Sequence, residues 1–206
     1  MNSRTTPPGP PAAVAGRSEA PLLNIANVLT VVRLVLVPVF IWLMLRPGDA
    51  VQLAAALVFA LAAATDRLDG QLARSRNLVT SFGKIADPIA DKALTLSAFV
   101  LLSMTSDLWW WVTALVVVRE LGITLLRFVM LRRAVMAASR GGKLKTFLQI
   151  LGLTGLLVPW GAVLPTGAAQ VLLYLAYAIV AAATVVTVVT GLDYVRDAVR
   201  ISRDSR

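Results

Sequence analysis

The chain has no cysteine and no histidine among its 206 residues, and only 11 residues are acidic. The absence of cysteine excludes disulfides, thiol nucleophiles and cysteine-ligated metals. The absence of histidine removes the side chain that most often acts as a neutral base near pH 7. Any chemistry must therefore use carboxylates, amines, guanidinium groups, hydroxyls and bound metal ions.

Apolar residues make up 58% of the chain, and the mean hydropathy is +0.77. A soluble domain of this size could not bury so much apolar surface, so the composition predicts an all-α polytopic membrane protein. Each of six apolar stretches is long enough to cross ~30 Å of hydrocarbon at ~1.5 Å per residue. The six predicted transmembrane helices span 26–46, 51–74, 86–105, 108–131, 145–164 and 168–195.

The basic residues predict the orientation of these helices. Lysine and arginine concentrate in the amino-terminal tail, in the connections near 74–85 and 132–145, and in the carboxy-terminal segment. The connections near 47–50, 105–107 and 165–169 contain none. By the positive-inside rule, both termini face the cytoplasm. We interpret the net charge of +9 as topological charge that also contacts anionic membrane lipids, and we expect no nucleic-acid partner.

The distribution of apolar, basic and proline residues divides the chain into three predicted regions. Residues 1–21 are rich in proline and small residues and lack an apolar core with a cleavage site, so we expect a disordered cytoplasmic tail rather than a signal peptide. Residues 22–198 form the predicted six-helix domain. Residues 199–206 form a basic carboxy-terminal tail.

Four aspartates stand out in the second and third apolar stretches. Asp66 and Asp69 are spaced i, i+3, and Asp87 and Asp91 are spaced i, i+4, so each pair shares one helical face. Four neighbouring carboxylates repel one another near a membrane, and a divalent cation would hold them together. Two such ions could bind a diphosphate and support phosphoryl transfer. The alternative is a set of helix caps and ion pairs with nearby arginines and lysines.

The segment between Asp66 and Asp91 has further fixed positions. Its full pattern is Asp-x2-Asp-Gly-x2-Ala-Arg-x8-Gly-x3-Asp-x3-Asp, with Gly70, Ala73 and Arg74 in the first half. This pattern resembles the signature of the CDP-alcohol phosphotransferases at every fixed position. The resemblance implies a six-helix membrane domain, usually a homodimer, that uses Mg²⁺ or Mn²⁺, with two ions expected at its cytoplasmic face.

The resemblance also implies roles for individual residues. The implied metal ligands are Asp66, Asp69, Asp87 and Asp91. The implied contacts of the cytidine nucleotide are Asp66, Asp69, Gly70, Ala73 and Arg74. Asp91 would also act as general base, removing the proton of an acceptor alcohol that attacks the β-phosphorus of CDP-diacylglycerol and releases CMP.

The start of the first helix carries polar residues at helical spacing. Asn27, Thr30 and Arg33 share one face and could contact phosphate or ribose. Helix capping is the alternative for Asn27 and Thr30. Arg33 lies deeper, where a buried guanidinium requires an anion. This stretch resembles the amino-terminal pattern of bacterial phosphatidylglycerophosphate synthases.

Cations in the second half of the chain predict a site for a phosphorylated acceptor. Arg119 precedes Glu120 inside the fourth apolar stretch, where such a pair is costly unless it faces the protein interior. The next cytoplasmic connection combines two glycines with several cations, which suits a phosphate ligand. The alternative for the connection is topological charge alone. The predicted acceptor-phosphate residues are Arg119, Lys143, Lys145, Arg127 and Arg140.

Both of these elements are similar to the phosphatidylglycerophosphate synthase branch of the family. That branch implies sn-glycerol 3-phosphate as acceptor, phosphatidylglycerophosphate and CMP as products, and an active site on the cytoplasmic side of the bacterial inner membrane. Inositol phosphate or phosphatidylglycerol, as acceptor on the same fold, is the nearest alternative. A divalent-cation transporter is a more distant one, since transporters usually bind at the bilayer midplane and contain inverted repeats, which this sequence does not show.

Overall fold

The computed structural model describes residues 25–75, 81–130 and 140–204, and within these ranges the chain is helical with no strand. The helices are α1 (Ile25–Met44), α2 (Asp49–Ser75), α3 (Ser81–Met104), α4 (Trp110–Met130), α5 (Arg140–Leu157), α6 (Trp160–Val163) and α7 (Thr166–Asp204). The predicted all-α fold is therefore confirmed for the described residues. The predicted tail 1–21 lies outside them, and α7 runs through the predicted boundary at 198.

The fifth predicted helix differs from the structure. A single helix was expected over 145–164, but α5 begins at Arg140 and ends at Leu157, and the short helix α6 follows Pro159. Proline has no backbone N–H to donate to the preceding turn and its ring crowds that turn, which favours an end of α5 just before this position. The indole N–H of Trp160 donates to the carbonyl oxygen of Gly155 at 2.7 Å, which satisfies one of the last carbonyls of α5.

Contacts between side chains define the directions of the helices. Helices α1 and α2 are joined by residues 45–48 and run antiparallel, with the rings of Phe40 and Phe59 5.5 Å apart. Helices α3 and α4 are also antiparallel, because the hydroxyl of Thr113 donates to the carbonyl of Phe99 near one end and Lys92 contacts Glu120 nearer the other. These pairs place the start of α3 and the later half of α4 at one level.

Helix α7 runs parallel to α4 and antiparallel to α5. The rings of Trp109 and Tyr177 lie 6.0 Å apart, and the Tyr177 hydroxyl donates to the backbone oxygen of Asp107 at 2.8 Å. About three turns further along both helices, Arg119 contacts Thr187. The two helices are thus joined near the α3–α4 connection and again near the middle of each.

Two glycines allow α5 and α7 to approach closely. A Cβ atom at Gly155 would lie 2.7 Å from the Cβ of Ala176, and one at Gly152 would lie 2.7 Å from a methyl group of Val180 and 3.1 Å from its backbone nitrogen. Atoms at such separations overlap, so only glycine fits at these positions without moving the helices apart. This contact holds the carboxy-terminal half of α5 close against α7.

The burial pattern is that of a membrane protein. Polar and charged side chains, including Arg33, Glu120 and Lys145, are buried between helices. Large apolar side chains such as Leu57, Val118 and those of Trp109–Trp111 are more than half exposed on the outside. Soluble proteins rarely expose so much contiguous apolar surface. In the described part, Asn27–Met44 and Thr166–Arg196 are long and apolar enough to cross a bilayer, and Asp49–Thr65 is a shorter apolar helix.

Candidate functional site

A buried charged cluster lies where α3, α4 and α5 meet. The carboxylate of Glu120 accepts hydrogen bonds from Lys92 at 3.2 Å, from Arg119 at 3.0 Å and from Lys145. Three cations surround one carboxylate, which leaves a formal excess of two positive charges. In a poorly solvated interior, such an excess favours binding of an anion. We call these four residues the Glu120 cluster.

The helical fold explains how four charges from distant positions meet. Arg119 and Glu120 are consecutive on α4, so their side chains leave the helix about 100° apart and contact different neighbouring helices. Glu120 faces Lys92 of α3 and Lys145 of α5. The hydroxyl of Thr124 donates to the backbone oxygen of Glu120 at 2.7 Å, one turn further along α4. The sequence expectation that this Arg–Glu pair faces the protein interior is confirmed.

Arg119 is fixed from its other side by α7. Its Nε donates to the backbone oxygen of Thr187 at 3.1 Å, and one terminal nitrogen donates to the hydroxyl of Thr190 at 2.8 Å. A Cβ atom at Gly191 would lie 3.2 Å from the Cγ of Arg119, so the glycine leaves room for the arginine stem. The guanidinium is therefore held between Glu120 and α7 and has little freedom to move.

A second polar contact joins α5 and α7 one turn beyond Lys145. The amide nitrogen of Gln149 donates to the Thr187 hydroxyl at 3.4 Å, and that hydroxyl donates to the backbone oxygen of Ala183 at 2.6 Å. Gln149 and Thr187 are 3% and 0% exposed. Buried polar groups that satisfy one another in this way restrict the packing of their helices. The contact holds α5 in the register that brings Lys145 to Glu120.

The predicted general base is the neighbour of this cluster in the chain. Asp91 is partly buried on α3 and directly precedes Lys92, whose ammonium contacts Glu120. Consecutive Cα atoms are ~3.8 Å apart, so the backbone of the predicted base lies next to that of a member of the Glu120 cluster on α3. The backbone oxygen of Asp91 accepts a hydrogen bond from Thr95 at 3.0 Å, within the same helix.

Much of the predicted metal and nucleotide site falls on side chains outside the described part of the structure. These residues are Asp66, Asp69, Gly70, Ala73, Arg74 and Asp87. Their backbone positions belong to the last turns of α2 and the second turn of α3, two helices that pack together. Among the side chains that are described, no group of three His, Cys, Asp or Glu residues comes together. The metal assignment therefore stays a prediction.

The antiparallel packing of α1 and α2 gives the level of the first aspartate along the bundle. Arg33 precedes Phe40 by as many residues as Asp66 follows Phe59, about two turns in each helix. Position 66 therefore lies level with Arg33, and position 69 level with Thr30. Arg33 is fully buried, as the sequence predicted, and Thr30 is 1% exposed.

Asn27 completes this face of α1 and is 6% exposed. The three polar residues of α1 thus share one buried face at the end of the bundle that carries the aspartate positions. Capping alone would not require all three to be buried on one face over about two turns. All-carboxylate donors suit Mg²⁺ and Mn²⁺, which favour oxygen ligands. The residue types on these helices therefore fit the implied ions.

The remaining acceptor residues are placed differently. Lys145 is 6% exposed and joins the Glu120 cluster, whereas Lys143 is exposed on the first turn of α5. The side chains of Arg127 and Arg140 lie outside the described residues. The sequence pattern did not identify Lys92 as an acceptor-site residue, because it is one of the nearby lysines that could instead pair with the aspartates. Its position directly after Asp91 is the feature of the sequence that could have indicated a role in the site. The direction of its side chain on α3 could not be predicted without knowing how the helices pack.

Comparison with known proteins identifies the family. The family described as CDP-alcohol phosphatidyltransferase matches residues 23–189. The probable phosphatidylglycerophosphate synthase of Mycobacterium tuberculosis strain H37Rv is 46% identical over 190 residues, which cover 91% of this chain and 86% of that protein. The CDP-diacylglycerol–glycerol-3-phosphate 3-phosphatidyltransferase of Bacillus subtilis is 37% identical over 150 residues, 66% of this chain and 78% of that protein.

A third relative agrees with these two. The Escherichia coli K12 protein named CDP-diacylglycerol–glycerol-3-phosphate 3-phosphatidyltransferase is 41% identical over 140 residues, 65% of this chain and 76% of that protein. The chain belongs to the CDP-alcohol phosphatidyltransferase family and is an enzyme of that class. The resemblance predicted from the aspartate pattern is thereby confirmed.

Proposed function

We propose that the protein transfers the phosphatidyl group of CDP-diacylglycerol to sn-glycerol 3-phosphate, giving phosphatidylglycerophosphate and CMP. The observation that carries this proposal is the Glu120 cluster, a buried excess of positive charge that adjoins the predicted base Asp91. The names of relatives 37–46% identical to this chain support the same reaction.

The charge of the cluster favours a phosphomonoester as the acceptor. Two net positive charges match a phosphate monoester, which carries close to two negative charges at neutral pH. Phosphatidylglycerol has no phosphomonoester, and an uncharged alcohol would leave the cations without a ligand. Arg119 and Lys145 would bind the acceptor phosphate through charge-assisted hydrogen bonds. Lys143, Arg127 and Arg140 stay predicted members of this site.

The transfer step uses residues that the predicted site brings to one end of the bundle. The carboxylate of Asp91 takes the proton of the acceptor hydroxyl, whose oxygen attacks the β-phosphorus as the bond to the CMP oxygen breaks. Asp66, Asp69, Asp87 and Asp91 would hold the divalent ions, Mg²⁺ or Mn²⁺. Bound there, the ions would supply positive charge that offsets the negative charge of the diphosphate.

The nucleotide would be held by residues of α1 and α2. Asn27 and Thr30 of α1 would contact it together with Gly70, Ala73 and Arg74.

The proposal includes a membrane arrangement. The helical domain 22–198 would span the bacterial inner membrane six times, with both termini and the active site on the cytoplasmic side. The distribution of basic residues and the outward-facing apolar side chains support this topology. The family resemblance implies a homodimer embedded among membrane lipids, and cross-linking in intact membranes tests that state.

The reaction can be tested with purified protein and CDP-diacylglycerol in detergent. Separate reactions contain Mg²⁺ or Mn²⁺ and glycerol 3-phosphate, inositol phosphate, phosphatidylglycerol or no acceptor. We expect CMP release with glycerol 3-phosphate and its abolition by EDTA. CMP release with inositol phosphate but not with glycerol 3-phosphate would contradict the proposed acceptor. Mn²⁺ uptake into sealed vesicles without any lipid donor, and no CMP release, would indicate the transporter alternative.

A further inference from the structure

Lys92 differs from the other cations of the Glu120 cluster in its accessibility. Its side chain is 27% exposed, compared with 12% for Arg119 and 8% for Lys145. An anion that approaches the cluster would therefore meet the Lys92 ammonium before the two more deeply placed cations. Lys92 is also the member of the cluster that adjoins Asp91 in the chain.

The hydrogen bonds of Lys92 orient its ammonium. Its Nζ lies 3.2 Å from a carboxylate oxygen of Glu120 and 3.4 Å from the backbone oxygen of the same residue. An ammonium group has three N–H donors. The two contacts hold the flexible lysine side chain against α4, while 27% of the side chain stays exposed.

The dimensions of the acceptor fit this location. In glycerol 3-phosphate, five bonds separate the phosphorus from the reacting terminal oxygen, so the two atoms are at most ~6 Å apart. A residue that binds the phosphate must lie within a similar distance of the base that takes the hydroxyl proton. The Cα atoms of Asp91 and Lys92 are ~3.8 Å apart. The two side chains leave α3 about 100° apart, so the long lysine side chain starts within this distance of the base and extends toward Glu120.

We infer that Lys92 binds the acceptor phosphate directly and that Glu120 holds its ammonium in place for this contact. The inference rests on the proposed function and adds a phosphate-binding residue from α3 to those predicted from α4 and α5. It also explains the presence of Glu120. A carboxylate repels a phosphate, so its place in a phosphate site requires a separate role. Its negative charge keeps three mutually repelling cations together in the absence of substrate.

The test compares two acceptors on each variant. Kinetics of CMP release are measured for wild type, Lys92→Gln and Lys92→Arg, with glycerol 3-phosphate and, at high concentration, with glycerol, which lacks the phosphate. For Lys92→Gln we expect KM for glycerol 3-phosphate to rise about ten-fold or more, with KM for CDP-diacylglycerol changed less than about three-fold. Lys92→Arg, which keeps the charge, should recover most of the affinity.

The ratio of kcat/KM values for glycerol 3-phosphate and glycerol does not depend on the fraction of protein that folds. We expect Lys92→Gln to lower this ratio about ten-fold, and Arg46→Gln, at an exposed residue stacked 4.6 Å over Trp42, to leave it unchanged. An unchanged ratio in Lys92→Gln would overturn the inference.

A second outcome would also overturn it. If Lys92→Gln and Lys92→Met both lose turnover with both acceptors, Lys92 has a structural role instead. Failure of the proposed function is distinct, since wild type would then not use glycerol 3-phosphate.

Discussion

The ammonium of Lys145 and the carboxylate of Glu120 are 25 residues apart in the chain and in direct contact between α5 and α4. Both side chains are at least 88% buried. A buried ion pair of this kind contributes little net stability compared with an apolar pair, so its presence indicates a function for the charges.

Replacing Lys145 with methionine should weaken binding of the acceptor more than binding of the donor. The substitution removes a buried charge-assisted contact worth about 1.5–3 kcal/mol, so KM for glycerol 3-phosphate should rise about ten-fold or more. Lys143→Met removes an exposed charge two residues earlier and should have a clearly smaller effect. Steady-state kinetics with both substrates measure the difference. Equal effects of the two substitutions would contradict the assignment of Lys145.

Replacing Asp91 with asparagine should abolish most of the turnover. The amide cannot take the proton of the acceptor hydroxyl, and loss of a general base lowers kcat by about 10²- to 10⁴-fold. The side chain has nearly the same size, so thermal unfolding should stay close to that of wild type. Asp193→Asn, at an exposed carboxylate on α7, is the matched control and should keep wild-type turnover. Wild-type kcat in Asp91→Asn would remove Asp91 as the base.

Replacing Thr190 with valine should loosen Arg119 while keeping the helix intact. The variant loses the hydroxyl that accepts from Arg119 at 2.8 Å, a contact worth about 0.5–1.5 kcal/mol. KM for glycerol 3-phosphate should therefore rise roughly 2- to 12-fold. Thr184→Val is the control, because the Thr184 hydroxyl is also buried on α7 but donates only to the Val180 carbonyl of its own helix. Similar KM values for both variants would show that Arg119 does not depend on Thr190.

Replacing Gly155 with alanine should destabilise the contact between α5 and α7. The new methyl would lie 2.7 Å from the Cβ of Ala176, which cannot rotate away, so the helix backbones must separate. We expect a loss of about 1–3 kcal/mol in the free energy of unfolding. Gly122→Ala is the control, since no atom lies within 4 Å of a Cβ at that helical position. Thermal unfolding in detergent should show a lower transition temperature for Gly155→Ala alone.

Several parts of this structure could be predicted from the sequence because they depend on local properties. The apolar stretches predicted the six long helices of the described residues, but α3 begins about five residues earlier than predicted, α7 ends about nine residues later, and α5 differs at both ends. There Pro159 ended the helix early, although the apolar run continued to residue 164. Burial of Arg33 followed from its place inside an apolar stretch, and the interior facing of Arg119–Glu120 followed from the cost of exposing an ion pair to lipid.

The partners within the site depend on helix packing and could not be predicted in the same way. Lys92, Arg119 and Lys145 meet at Glu120 only because α3 and α4 are antiparallel and α5 is held to α7 in one register. A sequence identifies such cations as candidates, but it does not distinguish buried Lys145 from exposed Lys143 two residues before it. That difference depends on the rotation of α5 about its axis.

The close contact at Gly152 and Gly155 also affects how a lipid substrate can travel. A hydrocarbon chain needs a gap wider than a methyl group, and the space between α5 and α7 at these glycines does not admit even one added carbon atom. Acyl tails are therefore excluded from this side of the bundle at that depth. Under the proposed function, a two-tailed donor that stays in the bilayer would therefore enter between another pair of helices, and that pair would mark the side of the protein that faces the incoming lipid.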